Sequence, residues 1–216
     1  MRDELGVLPH AITHLFDQGA DHVLIADNRS TDGTSEWLLD AAAHDPRIHV
    51  ALDAQPAHWQ SEKTTRLARA AWQAGADGIV PFDADEFWFA PDARVADWLR
   101  AQTVSLVHAD FHHMVPVGTV SGPLAESDFW IDRNPSFPGK VAVRSYPLLW
   151  IGPGNHSAAR VGGAAGGLSI AHAQYRDPAQ VARKVRQGAA SAQLTGEGRH
   201  AAPRAEPCKW TAPLSA

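Results

Sequence analysis

Apolar residues in the first hundred positions recur in two alternating patterns. Leu8, Ile12, Leu15 and Phe16 follow the spacing of an amphipathic helix. Short unbroken apolar runs, typical of strands buried on both faces of a sheet, lie at 22–26, 48–52 and 78–82. Further helical patterns follow these runs at 37–42, 61–75 and 95–102.

This alternation predicts an α/β fold with an open, mostly parallel sheet flanked by helices. In such a sheet the ligand crevice lies beyond the carboxyl ends of the strands. Asp27 follows the first apolar run and Asp83 follows the third. We therefore expect these two carboxylates to open onto the same crevice.

The second half of the chain is less regular. Its β-prone segments lie at 104–117, 140–144 and 168–172, and a helix with a basic face is predicted over 178–191. Beyond Thr195, Gly, Ala and Pro dominate. We therefore expect a single domain over residues 1–194 and a poorly ordered tail over 195–216.

Composition narrows the class of protein. The formal net charge of −5 over 216 residues does not indicate the basic surface with which proteins bind nucleic acid. The single cysteine, Cys208, rules out an intrachain disulfide and a Cys-ligated zinc site. No apolar run approaches the roughly 20 residues of a transmembrane helix, and the acidic start Arg2-Asp3-Glu4 is unlike a signal peptide. We expect a cytoplasmic protein, with peripheral association at the inner face of the membrane left open.

The strongest chemical feature is the run Asp83-Ala84-Asp85-Glu86 directly after an apolar strand. In an extended segment, residues two apart point to the same side, about 6.5 Å apart. Asp83 and Asp85 would then face one cation while Glu86 points away. Hard oxygen ligands suit Mg²⁺ or Mn²⁺. The alternative is a solvated acidic turn, but three adjacent carboxylates repel one another without a cation.

Residues 27–34 form a dense polar turn between a strand and a helix. Ser30, Thr31, Asp32 and Gly33 are all residues that such a turn needs for local hydrogen bonding and tight geometry. The motif alone is therefore explained equally well by structure or by function. Its expected position beside Asp83 favours function.

Taken in order, these motifs resemble the family-2-type glycosyltransferases with the glycosyltransferase-A fold. The similarity is to a bacterial branch whose acidic motif reads D-A-D-E-F, and it spans residues 2 to about 190. The segments that carry it are Arg2–Glu4, Ala26–Thr34, Phe82–Phe87, Gly154–His156 and His172–Arg176, with Lys184 and Gly188 on the next helix.

The resemblance implies a nucleotide-sugar donor whose diphosphate is bridged by Mn²⁺ or Mg²⁺. It implies Asp85 as the principal metal ligand and Asp83 as a ligand of the metal or of the donor ribose. A late histidine often completes the metal shell, and we prefer His156 to its alternative, His172. The implied donor-binding residues are Glu4, Asp27, Asn28, Asp32 and Asp83. By its positive charge, Lys140 or Arg144 could assist the departure of the diphosphate, although both are equally explained as solvent-facing positions of a half-buried strand.

The resemblance also implies transfer to an acceptor hydroxyl with inversion at the anomeric carbon. The acceptor is a glycan, a lipid-linked sugar or a small molecule. A carboxylate after the metal motif would act as general base, and the candidates are Glu126, Asp128 and Asp132. We prefer Asp128, although all three are equally explained as surface charges.

One departure from the family pattern affects the expected fold. The family normally has a hydrophobic strand before the Arg-Asp-Glu segment, and this chain leaves no room for it. We therefore expect a sheet without its usual first strand, an apolar slot in its place, and a late start or a truncated gene. This keeps open a catalytically inactive nucleotide- or glycan-binding member of the fold. A nucleotidyltransferase or phosphohydrolase with the same acidic pair is a more remote alternative.

Overall fold

The computed structural model describes residues 1–55, 59–118, 120, 124, 127–197 and 209–210. Five α-helices are present among them: α1 (Leu8–Asp17), α2 (Thr34–His44), α3 (Gln60–Gln73), α4 (Val95–Ala101) and α5 (Pro178–Glu197). A short 3-10 helix lies at Pro153–Asn155. The strands are β1 (Val23–Asp27), β2 (Ile48–Leu52), β3 (Gly78–Ile79), β4 (Glu86–Phe89), β5 (Leu106–Pro116), β6 (Phe129–Ile131), β7 (Ser136–Arg144), β8 (Trp150–Ile151), β9 (Ala158–Ala159), β10 (Ala164–His172) and β11 (Lys209–Trp210).

The predicted helices and strands of the first half are found close to their expected positions. The main difference is the third apolar run, in which only Gly78 and Ile79 pair as a strand, with Arg144 and Val143 of β7. Pro81 has no N–H to donate to a neighbouring strand, so regular pairing is not continued through it.

The predicted α/β class, with an open sheet flanked by helices, is confirmed, but strand direction is more mixed than the first half suggested. Parallel pairing joins β1 to β2 and β5 to β10. The other described pairs, including β5 with β7 and β10 with β4, run antiparallel. The larger sheet has the order β3-β7-β5-β10-β4 with β6 paired to β5, the smaller has the order β1-β2-β11, and β8 and β9 form a separate pair.

Three hydrophobic clusters hold these layers together. The first packs α1 and α2 on β1 and β2, with Leu8, Ile25 and Leu38 almost inaccessible to solvent. The second lies around Trp88 between α4 and the larger sheet, and the third joins α3 to β7 and β8. Helices α1 to α4 therefore pack their apolar faces on the sheets.

A cavity of about 810 Å³ lies between the two sheets. Residues 23–26 of β1 line one side of it and residues 78–82 line the other. Among the described residues no strand fills this gap.

The predicted C-terminal tail, 195–216, lies mostly outside the described residues. Within the described part, α5 continues to Glu197 and β11 pairs antiparallel with β2. None of the described helices combines the length and the apolar character needed to cross a bilayer.

Candidate functional site

The carboxyl end of β1 is organised around the buried carboxylate of Asp27. One of its oxygens accepts a 2.5 Å hydrogen bond from the Ser30 hydroxyl, and the other accepts one of 2.5 Å from the Ser35 hydroxyl. The backbone N–H of Ser30 also donates to this carboxylate at 3.3 Å. Both oxygens of Asp27 are thus engaged in shaping the turn that follows the strand.

The neighbouring predicted donor-binding residues of this turn also have protein partners. Asp32 accepts hydrogen bonds from the Thr34 backbone N–H at 3.0 Å and the Leu5 backbone N–H at 3.2 Å. Asn28 donates to a carboxylate oxygen of Asp53 at 2.9 Å. The turn is therefore braced against the N-terminal segment and against the end of β2.

Glu4 lies in a buried charge cluster with residues from the C-terminal half. Its carboxylate pairs with Arg176 at 2.7 Å and with Lys184 at 2.8 Å. The same Lys184 ammonium lies 2.5 Å from Asp85. Helix α5 therefore supplies a cation that joins the N-terminal segment to the acidic motif.

The acidic motif is a β-turn and not an extended segment. The Glu86 N–H donates to the Asp83 carbonyl at 3.1 Å, and the Glu86 carboxylate accepts the Asp83 N–H at 3.1 Å. The prediction that Asp83 and Asp85 face one side while Glu86 points away is therefore wrong. The turn reverses the chain, so Glu86 folds back towards Asp83.

Lys140 on β7 binds the two carboxylates that this turn brings together. Its ammonium lies 2.8 Å from Asp83 and 2.8 Å from Glu86. Lys140 and Glu86 are buried, whereas the Asp83 side chain is 38% exposed. Burial, followed by the negative charge of Asp83, raises the pKa of Glu86 to about 8.

We expect this buried carboxyl to make stability depend on pH. The unfolded-state pKa of Glu86 is about 4.5, below its value in the folded protein, so between about pH 4.5 and 8 the native state keeps a proton that the unfolded chain has released. The free energy of unfolding should therefore fall as pH rises through this window, by about 2–4 kcal/mol.

Urea denaturation of the wild type and of Glu86→Gln at pH 5, 7 and 9 measures this effect. Glutamine cannot ionise, so the variant should gain stability relative to the wild type as pH rises. A difference between the two proteins that stays constant from pH 5 to 9 would contradict the titration of Glu86.

Asp85 is in a different environment from Asp83. It is 3% exposed, and its carboxylate lies 3.5 Å from Nε2 of His172 in addition to the Lys184 contact. Burial acts to raise the pKa of Asp85, but His172 and the Lys184 ammonium hold it well below its usual range. Asp85 therefore stays ionised across the physiological pH range.

The two candidate histidines differ in what they contact. Nδ1 of His156 lies 2.7 Å from the carbonyl oxygen of Gly139. His172 lies at the end of β10, packs on Phe111 with ring centroids 4.5 Å apart, and directs Nε2 at Asp85. Of the two, the structure brings His172 to the acidic motif.

The candidate general bases lie around β6. Asp128 is exposed, and its carbonyl accepts the Val117 N–H at 2.9 Å. Asp132 is also exposed, and its charge acts on His113, whose ring lies 5.5 Å from that of His172. Glu126 lies outside the described residues.

The described residues offer a divalent metal an incomplete set of ligands. No group of three or more His, Cys, Asp or Glu side chains among them is gathered closely enough to hold an ion. Asp85 and His172 form a two-ligand set, but Lys184 occupies one oxygen of Asp85. Such a set fits Mg²⁺ or Mn²⁺ only if substrate phosphates and water supply the remaining ligands, which is usual for Mg²⁺.

Several charged residues of the site were missed by sequence reasoning. Asp53 follows β2 as directly as Asp27 follows β1, so the strand-end argument would have found it. It pairs with Lys63 at 2.5 Å. Arg176 and Lys184 belong to segments that carry the family resemblance, but no role at the site was predicted for them, because their acidic partners lie far away in the sequence.

Comparison with known proteins adds a family-level finding. Residues 1–101 match the model of the family described as Glycosyl transferase family 2. The match covers 101 of 216 residues and includes the turn after β1 and the acidic motif. No curated protein matches this chain. The family match supports a glycosyltransferase of family 2.

Proposed function

We propose that this protein transfers a sugar from a nucleotide-sugar donor to an acceptor hydroxyl. The observation that carries the proposal is a crevice at the strand ends, lined mostly by residues of the family-matched segment. Asp53 and Asp83 line this opening together with Lys63 and Lys184. Carboxylates suit the hydroxyl groups of ribose and sugar, and ammonium groups suit a diphosphate.

Two lysines place ammonium groups at or beside this crevice, and each is held by carboxylates. Lys184 lies at its edge with a side chain that is 34% exposed, and it is held by Glu4 and Asp85. Lys140 is buried behind the crevice, and its ammonium group pairs with the Asp83 carboxylate. Lys140 contacts Asp83 and Lys184 contacts Asp85, so both ammonium groups lie beside the acidic motif. This position favours binding of the donor phosphates next to the motif.

The hydrogen bonds of Asp27 are consistent with an indirect role of this residue in donor binding. Because its oxygens accept hydrogen bonds from Ser30 and Ser35, it shapes the turn that presents Asn28 beside Asp53. We assign direct contact with the nucleoside to Asn28 and Asp53, and we assign the positioning of this turn to Asp27, Asp32 and Glu4.

We further propose Asp85 and His172 as ligands of a divalent cation, with Asp83 towards the donor. When bound, Mn²⁺ or Mg²⁺ supplies positive charge beside the diphosphate. Lys184 must then release Asp85, and its partial exposure and second partner, Glu4, permit this movement. His172 replaces His156 in this proposal because of its contact with Asp85.

The proposed reaction is a single displacement with inversion. The acceptor oxygen attacks the anomeric carbon, the bond from that carbon to the phosphate oxygen breaks, and the nucleoside diphosphate leaves. A carboxylate takes the acceptor proton. Asp128 and Asp132 both remain candidates, and the position of Asp132 near His113 favours Asp132.

Ligand binding tests this proposal without knowledge of the acceptor. A thermal-shift screen of nucleoside diphosphates, each with and without Mn²⁺, should give one nucleotide with a metal-dependent rise. At a hundred times the Kd the stabilisation is about 2.7 kcal/mol. Asp83→Asn should reduce the shift, whereas the exposed Asp40→Asn should keep it. Equal shifts for every nucleotide, or none, would contradict the proposal.

A catalytically inactive nucleotide-binding protein is the second candidate. The contact of Lys184 with Asp85 favours it, since an ammonium stands against the proposed metal ligand. A metal-independent nucleotide shift, with no release of sugar from a labelled donor, would support this alternative.

A further inference from the structure

One face of the larger sheet connects the acidic motif to strand β5. His113 on β5 lies opposite His172 on β10, and His172 lies opposite Glu86 on β4. Directly opposed residues on neighbouring strands project to the same face of a sheet. His113 therefore shares the face on which His172 meets Asp85.

Strands β5 and β6 extend this face beyond His113 as a hairpin. The N–H of Asp132 donates to the carbonyl of His113 at 3.0 Å, and Val115 lies opposite Trp130. Because side chains alternate along a strand, Val115 projects to the same side as His113, and Trp130 to the same side as Asp132. Trp130 thus lies about 6.5 Å along the strand from Asp132, the preferred general base.

The side chain of Trp130 is presented to solvent on this face. It is 71% exposed, and its partner Val115 is also exposed. Phe129 projects to the other side of β6 and packs against the first hydrophobic cluster, which fixes the orientation of the hairpin. Tyr175 adds a second exposed ring, 6.0 Å from that of His113. An exposed apolar surface that continues a site is typical of a binding surface.

The charges of the hairpin favour a sugar over a membrane as its occupant. The described residues within 110–137 carry three aspartates, at 110, 128 and 132, against one basic residue, Arg133. Anionic bilayers attract basic segments, so this balance does not suit them. Carboxylates accept hydrogen bonds from hydroxyl groups, and an aromatic ring packs on the apolar side of a sugar ring.

We propose that the hairpin face of Val115, Trp130 and Asp132 is the acceptor site, and that the acceptor is a glycan whose pyranose ring stacks on Trp130. This inference rests on the proposed sugar transfer. A ring seated on Trp130 directs a hydroxyl towards Asp132, which takes its proton as the acceptor oxygen bonds to the anomeric carbon. Trp130 thereby selects cyclic sugars over acyclic hydroxyl compounds, which offer no flat apolar side.

Fluorine NMR of the protein labelled with 5-fluorotryptophan tests this site without nucleotide. The loss of one signal in Trp130→Phe identifies the signal of Trp130. The probes are the methyl α- and β-pyranosides of glucose, galactose, mannose and N-acetylglucosamine, and sorbitol is the acyclic control. At least one pyranoside should shift the Trp130 signal saturably, and sorbitol should leave it in place. The signal of Trp72, a residue of α3 that is 40% exposed, should move with no probe.

Variants connect the binding to the aromatic ring. Saturation-transfer NMR gives the Kd of the responding pyranoside for each protein. Trp130→Ala should raise this Kd at least about fivefold, because it removes the stacking surface. Trp130→Phe keeps a ring and should lose less affinity, and the matched control Trp72→Ala should bind as the wild type does. Circular dichroism verifies that each variant is folded.

A Trp130 signal that moves with none of the pyranosides, or equally with sorbitol, would overturn the proposal. A shift caused only by vesicles of phosphatidylglycerol and phosphatidylethanolamine would also overturn it, since the occupant would then be a membrane. A shift caused only by raising the protein concentration would identify a second copy as the occupant, with the same consequence.

The nucleotide thermal shift keeps this test separate from that of the proposed function. Trp130→Ala should retain the metal-dependent shift of the wild type, because Trp130 has no part in donor binding. A nucleotide shift without pyranoside binding would defeat the acceptor site alone. Pyranoside binding at Trp130 without any nucleotide shift would defeat the proposed transfer from a nucleotide sugar.

Discussion

Asp85→Asn is expected to lower sugar transfer by about a thousandfold or more, equivalent to about 4 kcal/mol of transition-state stabilisation. Asp85 is ionised and buried, and it is the only carboxylate among the described residues that contacts both His172 and Lys184. Asparagine keeps the shape of the side chain and removes its charge. The measurement is kcat/KM with the labelled donor selected by the thermal-shift screen.

Two comparisons make this result specific. Asp40→Asn carries the same chemical change on an exposed helix position and should leave kcat/KM unchanged. Lys184→Met separates two roles of Asp85. If Asp85 serves as a metal ligand, Lys184→Met should lose less activity than Asp85→Asn, because it removes one phosphate-binding ammonium and keeps the ligand. If Asp85 serves only to hold Lys184, both variants should lose activity equally. Retention of activity within tenfold in Asp85→Asn would contradict a catalytic part for this residue.

Lys140→Met is expected to give the largest loss of stability, about 3–5 kcal/mol. Lys140 is 4% exposed and neutralises Asp83 and Glu86 together. Methionine has a similar length but no charge, so it leaves two neighbouring carboxylates without their cation. Urea denaturation at pH 9, above the pKa of about 8 at which Glu86 ionises in the folded protein, measures the loss.

A double variant identifies the cause of that loss. In Lys140→Met/Glu86→Gln the buried carboxyl no longer has to ionise or remain unpaired, so part of the stability should return. Arg94→Met, which removes one exposed ion pair with Asp97, should change stability little. A double variant no more stable than Lys140→Met would show that Glu86 is not the source of the penalty.

Most local structure of the first half was predictable from the chain itself. The apolar run 48–52 is the strand β2, and the helical spacing from Leu8 to Phe16 is the helix α1. Periodicity reports such elements because the burial of one face is a property of neighbouring residues. The shape of residues 83–86 was not predictable in this way, because an acidic turn and an acidic extended segment have the same composition.

The partners of the charged residues were not readable from the sequence. Glu4 and Arg176 are 172 positions apart, and Asp85 and Lys184 are 99 positions apart. Which lysine neutralises which carboxylate depends on how α5 and β7 pack against the strand ends. For the same reason, the sequence did not show that His172, and not His156, lies beside Asp85.

By itself, then, the sequence determined the α/β class, the polar turn after β1 and the position of the acidic motif after the third apolar run. Only the tertiary structure decided that Lys140 holds Asp83 with Glu86, that Lys184 holds Asp85 with Glu4, and that two strand edges face one cavity. The physical reason is the separation along the sequence between the residues that interact. Helices, strands and turns follow from interactions between residues a few positions apart, whereas charge pairing and open edges arise when distant segments pack together.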